Sequence, residues 1–273
     1  MTPAAAYQQR LDRGWLLMDL KNWQLAEREF REAISLEPQA ATPHAALAWC
    51  IARRSLKEAL PEAREAVRLE PTLDYAHYTL AHLLIDVRDF AAAREAADEA
   101  LRIDPRDVNY HALRARLHIA QNNWRPALAA ADEGLQFDPQ NLYCLRWRAV
   151  ALRGLGLPIM AEKTTAQLLA AHPENAAAHE QHAWALLAQG EAEPAEMHFR
   201  ESLRLAPSSE QAVKGLHEAR RSRWGLFRFM RGYVRDRRHN KTVKALLSIL
   251  LHCGTMMLAI LIFMGLMFWA LTR

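Results

Sequence analysis

The sequence predicts an all-α solenoid of stacked helix pairs, followed by one apolar span at its C-terminal end. Three observations predict this. Pro38, Pro71, Pro105, Pro139, Pro173 and Pro207 recur at intervals of 33, 34, 34, 34 and 34 residues. A stripe of small residues recurs in step with them. The 28 residues from Ala245 to Thr272 contain no Asp, Glu, Lys or Arg. Fixed self-similarity at this period marks a stacked array in which each unit touches only its neighbours.

Each proline closes a short phrase: SLEP, RLEP, RIDP, QFDP, AAHP or RLAP. Between prolines the pattern predicts two helices. In the first unit, Gly14 marks a close approach of the two, and Ala26, Phe30 and Ala33 share one helical face at spacings of four and three. Pro38 then ends the second helix, because it lacks an N–H and restricts the residue before it. The stripe returns at Ala59, Ala63 and Ala66, at Ala93, Ala97 and Ala100, and at Ala127, Ala131 and Gly134. The turn within a unit is polar and then aromatic in Asn22-Trp23, Asp89-Phe90 and Asn123-Trp124. The second unit is one residue short. The fifth carries Thr165 and Leu168, and the sixth Ser202, where the stripe expects other residues. Residues 210–224 predict a further helix, the polar-faced cap that a solenoid needs over its last unit.

These residues resemble the tetratricopeptide repeat: a small residue within the first helix, an Ala-x3-Phe/Ala-x2-Ala stripe and a closing proline. The resemblance covers six units over residues 7–209. It implies that the first helix of each unit lines a concave surface that takes extended peptides or partner helices. Carried onto this sequence, the first three units present Leu11, Trp15, Met18, Trp49, Tyr75, Tyr78 and His82. The next two present Asn109, Arg116, Tyr143, Arg146 and Arg153, and the last presents Glu180 and Trp184. The groove then has an aromatic half and a basic half. Aromatics and Arg dominate binding hot spots, and Arg116, Arg146 and Arg153 suit an acidic motif or a C-terminal carboxylate. Trp15 and Trp184 either line the groove or pack between helices. One variety of the family clamps chaperone C-termini with Lys and Asn, but Leu11 and Trp15 stand at the first-unit positions here.

Charge is distributed unevenly. Residues 1–213 carry 23 basic and 29 acidic side chains, whereas residues 214–244 carry 11 basic and 2 acidic. The pI near 9.1 therefore comes from one block and does not indicate a nucleic-acid-binding protein. That block precedes the uncharged run, which exceeds the ~20 residues needed to span a bilayer. The Lys/Arg bias predicts that the repeats stay cytoplasmic and the C-terminus is translocated. In residues 225–244, Phe227 and Met230 fall on one side of a helix, and Arg228, Arg231, Arg235 and Arg238 on another. This segment is expected either to rest on anionic lipid as an amphipathic helix or to act as a plain topology signal. His252 faces a partner helix or sits neutral near one leaflet. An Ala/Arg/Leu-rich wording suggests a bacterial inner membrane, with a eukaryotic organelle membrane as the alternative.

No phosphate-binding Gly-rich loop, HExxH or GxSxG occurs, and no cofactor or metal is expected. His44, His77, His111 and His179 recur at one repeat position, which spreads them along the array and suggests packing or hydrogen bonding between helices. Cys50, Cys144 and Cys253 are odd in number and lack a CxxC, so a reducing compartment fits. The expectation is a membrane-anchored adaptor that binds a protein or peptide partner, not an enzyme. The alternative is a structural subunit of a membrane complex assembled through its transmembrane helix.

Overall fold

The computed structural model describes residues 2–222. The juxtamembrane segment 225–244, with Phe227, Arg228, Met230, Arg231, Arg235 and Arg238, and the apolar run 245–272 lie outside the described residues. Among the described residues there are thirteen helices and no strand, and no helix is long and apolar enough to cross a membrane.

Six helix pairs follow one another. They are α1 (Pro3–Asp19) with α2 (Trp23–Leu36), α3 (Ala41–Ala52) with α4 (Leu56–Leu69), and α5 (Asp74–Asp86) with α6 (Phe90–Ile103). Then come α7 (Val108–Ala120) with α8 (Trp124–Phe137), α9 (Leu142–Gly154) with α10 (Pro158–Ala171), and α11 (Ala176–Gln189) with α12 (Ala192–Leu205). A last helix, α13 (Glu210–Ser222), packs on α11 and α12. It buries Ala212, Gly215 and Ala219 and leaves Lys214, His217 and Arg220 exposed, as a cap should.

The small-residue stripe is the core. Ala26, Phe30 and Ala33 are fully buried, as are Ala59, Ala63 and Ala66. Gly14 permits this closeness, since a Cβ there would sit 2.5 Å from the Phe30 ring. The departures in the fifth unit are absorbed, whereas the buried Ser202 hydroxyl of the sixth has no partner among the described residues. Leu168 is fully buried, and buried Thr165 donates to the Glu162 carbonyl at 2.9 Å.

Turn chemistry sets the pairing angle. Asn22 and Asp89 accept from the backbone N–H three residues on, capping α2 and α6. Just before the second helix, Lys21, Arg88, Asn122, Gly156 and Gly190 all adopt positive φ. The short second unit has no such residue, so its deletion falls in the α3–α4 turn. The recurring histidines tie each unit to the turn before it. Nε2 of His77, His111 and His179 donates to the carbonyl of Pro71, Pro105 and Pro173 at 2.8–2.9 Å. His44 differs, bonding Glu62 through Nδ1 at 2.7 Å.

From α3 onward each first helix touches the first helix of the next unit: α3–α5, α5–α7, α7–α9, α9–α11 and α11–α13. No comparable contact joins consecutive second helices. Packing tight on one side and splayed on the other bends the array, with the first helices on its inner face.

Candidate functional site

The inner face carries rows of equivalent residues, because the repeat period places one residue of each first helix beside its counterpart. One row runs Trp15, Trp49, His82, Arg116, Val150, Trp184. Another runs Leu11, Ala45, Tyr78, Ala112, Arg146, Glu180. Where α3, α5, α7 and α9 meet, these rows enclose a cavity of about 410 Å³. Seven residues expected in the groove line it: Trp49, Tyr78, His82, Asn109, Arg116, Tyr143 and Arg146. Ala112, Leu113 and Trp147 complete the wall.

The other expected residues lie elsewhere. Trp15 packs edge-on against Phe30 and Tyr75, with ring centres 5.4 and 5.6 Å away, and Met18 joins the same core cluster. Tyr75 stacks beside Tyr78 at 6.3 Å. Leu11 is buried. Trp184 sits edge-on to Phe199 at 5.1 Å, in the core between α11 and α12. Arg153 lies two turns beyond Arg146 on α9.

The aromatic end is internally bonded. The Trp49 indole N–H donates to the buried Thr79 hydroxyl at 2.9 Å, and its ring meets His82 edge-on at 4.5 Å. Tyr78 packs on Tyr110 at 5.3 Å. Burial, helped by the nearby Tyr143, pushes the Tyr78 phenol up to about 12. Burial and then the Arg116 charge hold the His82 imidazole down at about 3. Neutral His82 thus offers its Nδ1 lone pair to Arg116 at 2.9 Å. Arg116 also pairs with Asp86 and donates to the His82 carbonyl at 3.3 Å.

The basic end differs. Arg146 lies over the Trp147 ring, its Cζ 4.8 Å from the centroid. Neither Arg146 nor Arg153 forms an ion pair or hydrogen bond among the described residues, and Nε of Arg146 and Nη1 of Arg153 are buried without a partner. Burial lowers both guanidinium pKa values, that of Arg153 to about 10, so both remain charged at neutral pH. Glu180 holds them up from a distance. Its own oxygens take the Ser209 hydroxyl at 3.0 Å and the Gln181 amide at 3.3 Å.

Sequence reasoning missed Thr79, Tyr110 and Trp147. Thr79, Leu113 and Trp147 share one repeat position, so the row existed in the sequence. Its varied side chains gave no signal that Leu113 and Trp147 wall the cavity while Thr79 lies buried behind it.

The structure resembles several solved ones. A chain of the APC/C hetero-tetramer Cut9-Hcn1 matches with a TM-score of 0.66 at 18% identity over 77% of this chain. This chain spans 42% of that one. A tetratricopeptide repeat protein from Parabacteroides merdae matches with a TM-score of 0.66 at 17% identity, covering 78% of this chain and 84% of its own. The Pseudomonas aeruginosa pilF structure matches with a TM-score of 0.61 at 16% identity, covering 79% of this chain and 99% of its own. At these identities the likeness is one of fold. No curated protein sequence matches. Tetratricopeptide repeat family models match residues 11–73, 51–117 and 145–210, more than half of the chain. The chain therefore belongs to the tetratricopeptide repeat family.

Proposed function

We propose that this protein is a membrane-tethered, non-enzymatic adaptor whose inner groove binds a segment of another protein and holds it at the cytoplasmic face. The observation that carries the groove reading is the cavity between α3, α5, α7 and α9. Aromatic and arginine side chains converge there from four units, and these residue types dominate protein hot spots. The family's common role in protein interaction supports the reading, as does the hetero-tetrameric assembly to which one structural relative belongs. The tether rests on sequence alone: 28 uncharged residues after a strongly basic block. Arg228, Arg231, Arg235 and Arg238 supply attraction to anionic headgroups, roughly 1 kcal/mol each.

Two measurements test the parts separately. Flotation with uncharged phosphatidylcholine vesicles should carry the full chain upward and leave behind the chain lacking residues 239–273. Equal behaviour of the two ends the tether. In-cell crosslinking should capture the same partner with and without residues 239–273. Capture lost with that segment points instead to a subunit assembled through its apolar run. Capture unaffected by Tyr78→Ala with Trp49→Ala rejects the groove.

A further inference from the structure

The arginines of the basic end differ in what the fold does with them. Arg116 is held by His82 and Asp86. Arg146 and Arg153 each keep a buried donor with no partner, and no carboxylate lies within ion-pair distance of either among the described residues. A buried charged donor left unmade costs free energy. The repeat register makes Arg153 more unusual. Its counterparts are Met18, Ala52, Ile85, Ile119 and Leu187, and Ile85 and Leu187 are buried. Folding alone is served by an apolar residue there. The unit that departs from the row also sets Arg146 on the same face of the same helix.

We propose that Arg146 and Arg153 form a two-point receptor for two carboxylates of an extended acidic segment in the partner protein, the acidic residues lying three apart. This rests on the groove reading above. Seven residues along α9 make two turns, so the two side chains leave one face about 10 Å apart. An extended polyproline II strand rises about 3.1 Å per residue with three residues per turn, which puts residues i and i+3 on one side about 9 Å apart. Each carboxylate meets a partly buried guanidinium, where charge-assisted bonds are strong. The cavity beside Arg146 is walled by Trp147 and Tyr143, which suit the stem between the acids. Residues 214–244 of the chain are strongly basic, so charge excludes them as the occupant.

The test uses the full chain in a non-ionic detergent and fluorescein-labelled, amidated peptides. Their cores are Glu-Ala-Ala-Glu, Glu-Glu-Ala-Ala and Gln-Ala-Ala-Gln. The spaced acidic peptide should bind about tenfold more tightly than the contiguous one, and the neutral peptide should not bind. Arg146→Gln and Arg153→Gln should each weaken the spaced peptide about tenfold, the scale of one lost two-point contact. Equal affinity for the two acidic peptides overturns the proposal, as does unchanged binding by either variant. Displacement by inorganic phosphate at the peptide's own concentration overturns it in favour of a lone anion. Arg153→Met guards against misfolding as the cause: it should weaken the spaced peptide about as much as Arg153→Gln does while raising Tm by a few degrees, and a lowered Tm makes Arg153 structural and sinks the idea. If acidic peptides fail but Tyr78→Ala with Trp49→Ala still abolishes partner capture, this proposal falls and the groove reading stands.

Discussion

The two ends of the inner face are built from the same repeat positions and behave oppositely. In α1, α3 and α5, Trp15, Trp49, Tyr75 and Tyr78 touch one another, and the Trp49 N–H ends on Thr79. In α9, Arg146 and Arg153 keep buried donors without partners. The difference teaches that residue type alone does not separate cohesion from recognition. Arg116 carries the same side chain as Arg153, yet it acts as a strut between α5 and α7 because His82 and Asp86 lie opposite it. The separating property is whether the polar atoms already have partners inside the fold.

The strongest way to break this comparison is Trp15→Ala. Trp15 joins Phe30 of its own unit to Tyr75 two units on. It is half-buried, so its removal should cost about 2–4 kcal/mol, near the lower end for a core aromatic. A urea unfolding curve checks this. A loss below about 0.5 kcal/mol would make the aromatic end a display surface and erase the contrast.

Next in size is Arg153→Met, with the opposite sign. Replacing a buried unpaired cation by an apolar side chain of similar length should stabilise the array by about 1–2 kcal/mol. Each kcal/mol corresponds to about 2–4 °C for an array of this size. The same change at Arg116 should destabilise, since it strands His82 and Asp86. Equal signs at the two positions would remove the distinction between strut and receptor.

That distinction is where the sequence stopped being legible. The prolines, the alanine stripe and Gly14 announced the helix pairs because their causes are local: a missing N–H, a helical spacing, a close approach. The rows Trp15–Trp49–His82–Arg116 and Met18–Ile85–Arg153 could be written from the period alone. Whether a given arginine is satisfied depends on Asp86 and His82, which belong to a neighbouring unit and to no motif. Tyr110 was likewise hidden. It follows Asn109 in sequence but is buried at 5% exposure, whereas Asn109 is exposed.

The His82 contact gives the aromatic end a pH dependence. Its imidazole titrates near 3 in the fold, held down by burial and then by Arg116, against 6.5 for the free side chain. Between those values the unfolded chain binds a proton that the folded chain refuses, so stability is full above pH 6.5 and falls as pH drops toward 3. The slope is up to about 1 kcal/mol per pH unit, because the side chain is three-quarters covered. Asp86 lies 3.8 Å from His82 but is held by Arg116, so it does not rescue the imidazolium. His82→Asn should flatten part of the fall in Tm between pH 6.5 and 4.5. Burial also lowers the pKa of His198, His182 and His118, so a residual slope should persist. An unchanged slope would remove His82 from the account.

The smallest effect is the most discriminating. Trp49→Phe keeps the ring that meets His82 and Tyr78 but deletes the N–H that reaches Thr79. Thr79→Val deletes the acceptor in a fully buried side chain, and with it the hydroxyl that bonds Tyr75. Each should cost about 0.5–1.5 kcal/mol, the ordinary net value of one hydrogen bond, with Thr79→Val the larger. The double variant should cost less than the sum, by a coupling of about 1 kcal/mol in the cycle. Arg153 has no hydrogen-bonded or ion-paired partner among the described residues to couple to, and Arg146 has only the Trp147 ring. Pairing Arg153→Met with a conservative change at any uncharged described neighbour should therefore give a coupling near zero until an acidic peptide is added. A coupling at Arg153 as large as that at Trp49 would mean that the fold already satisfies the arginine, and the two ends would then differ only in charge.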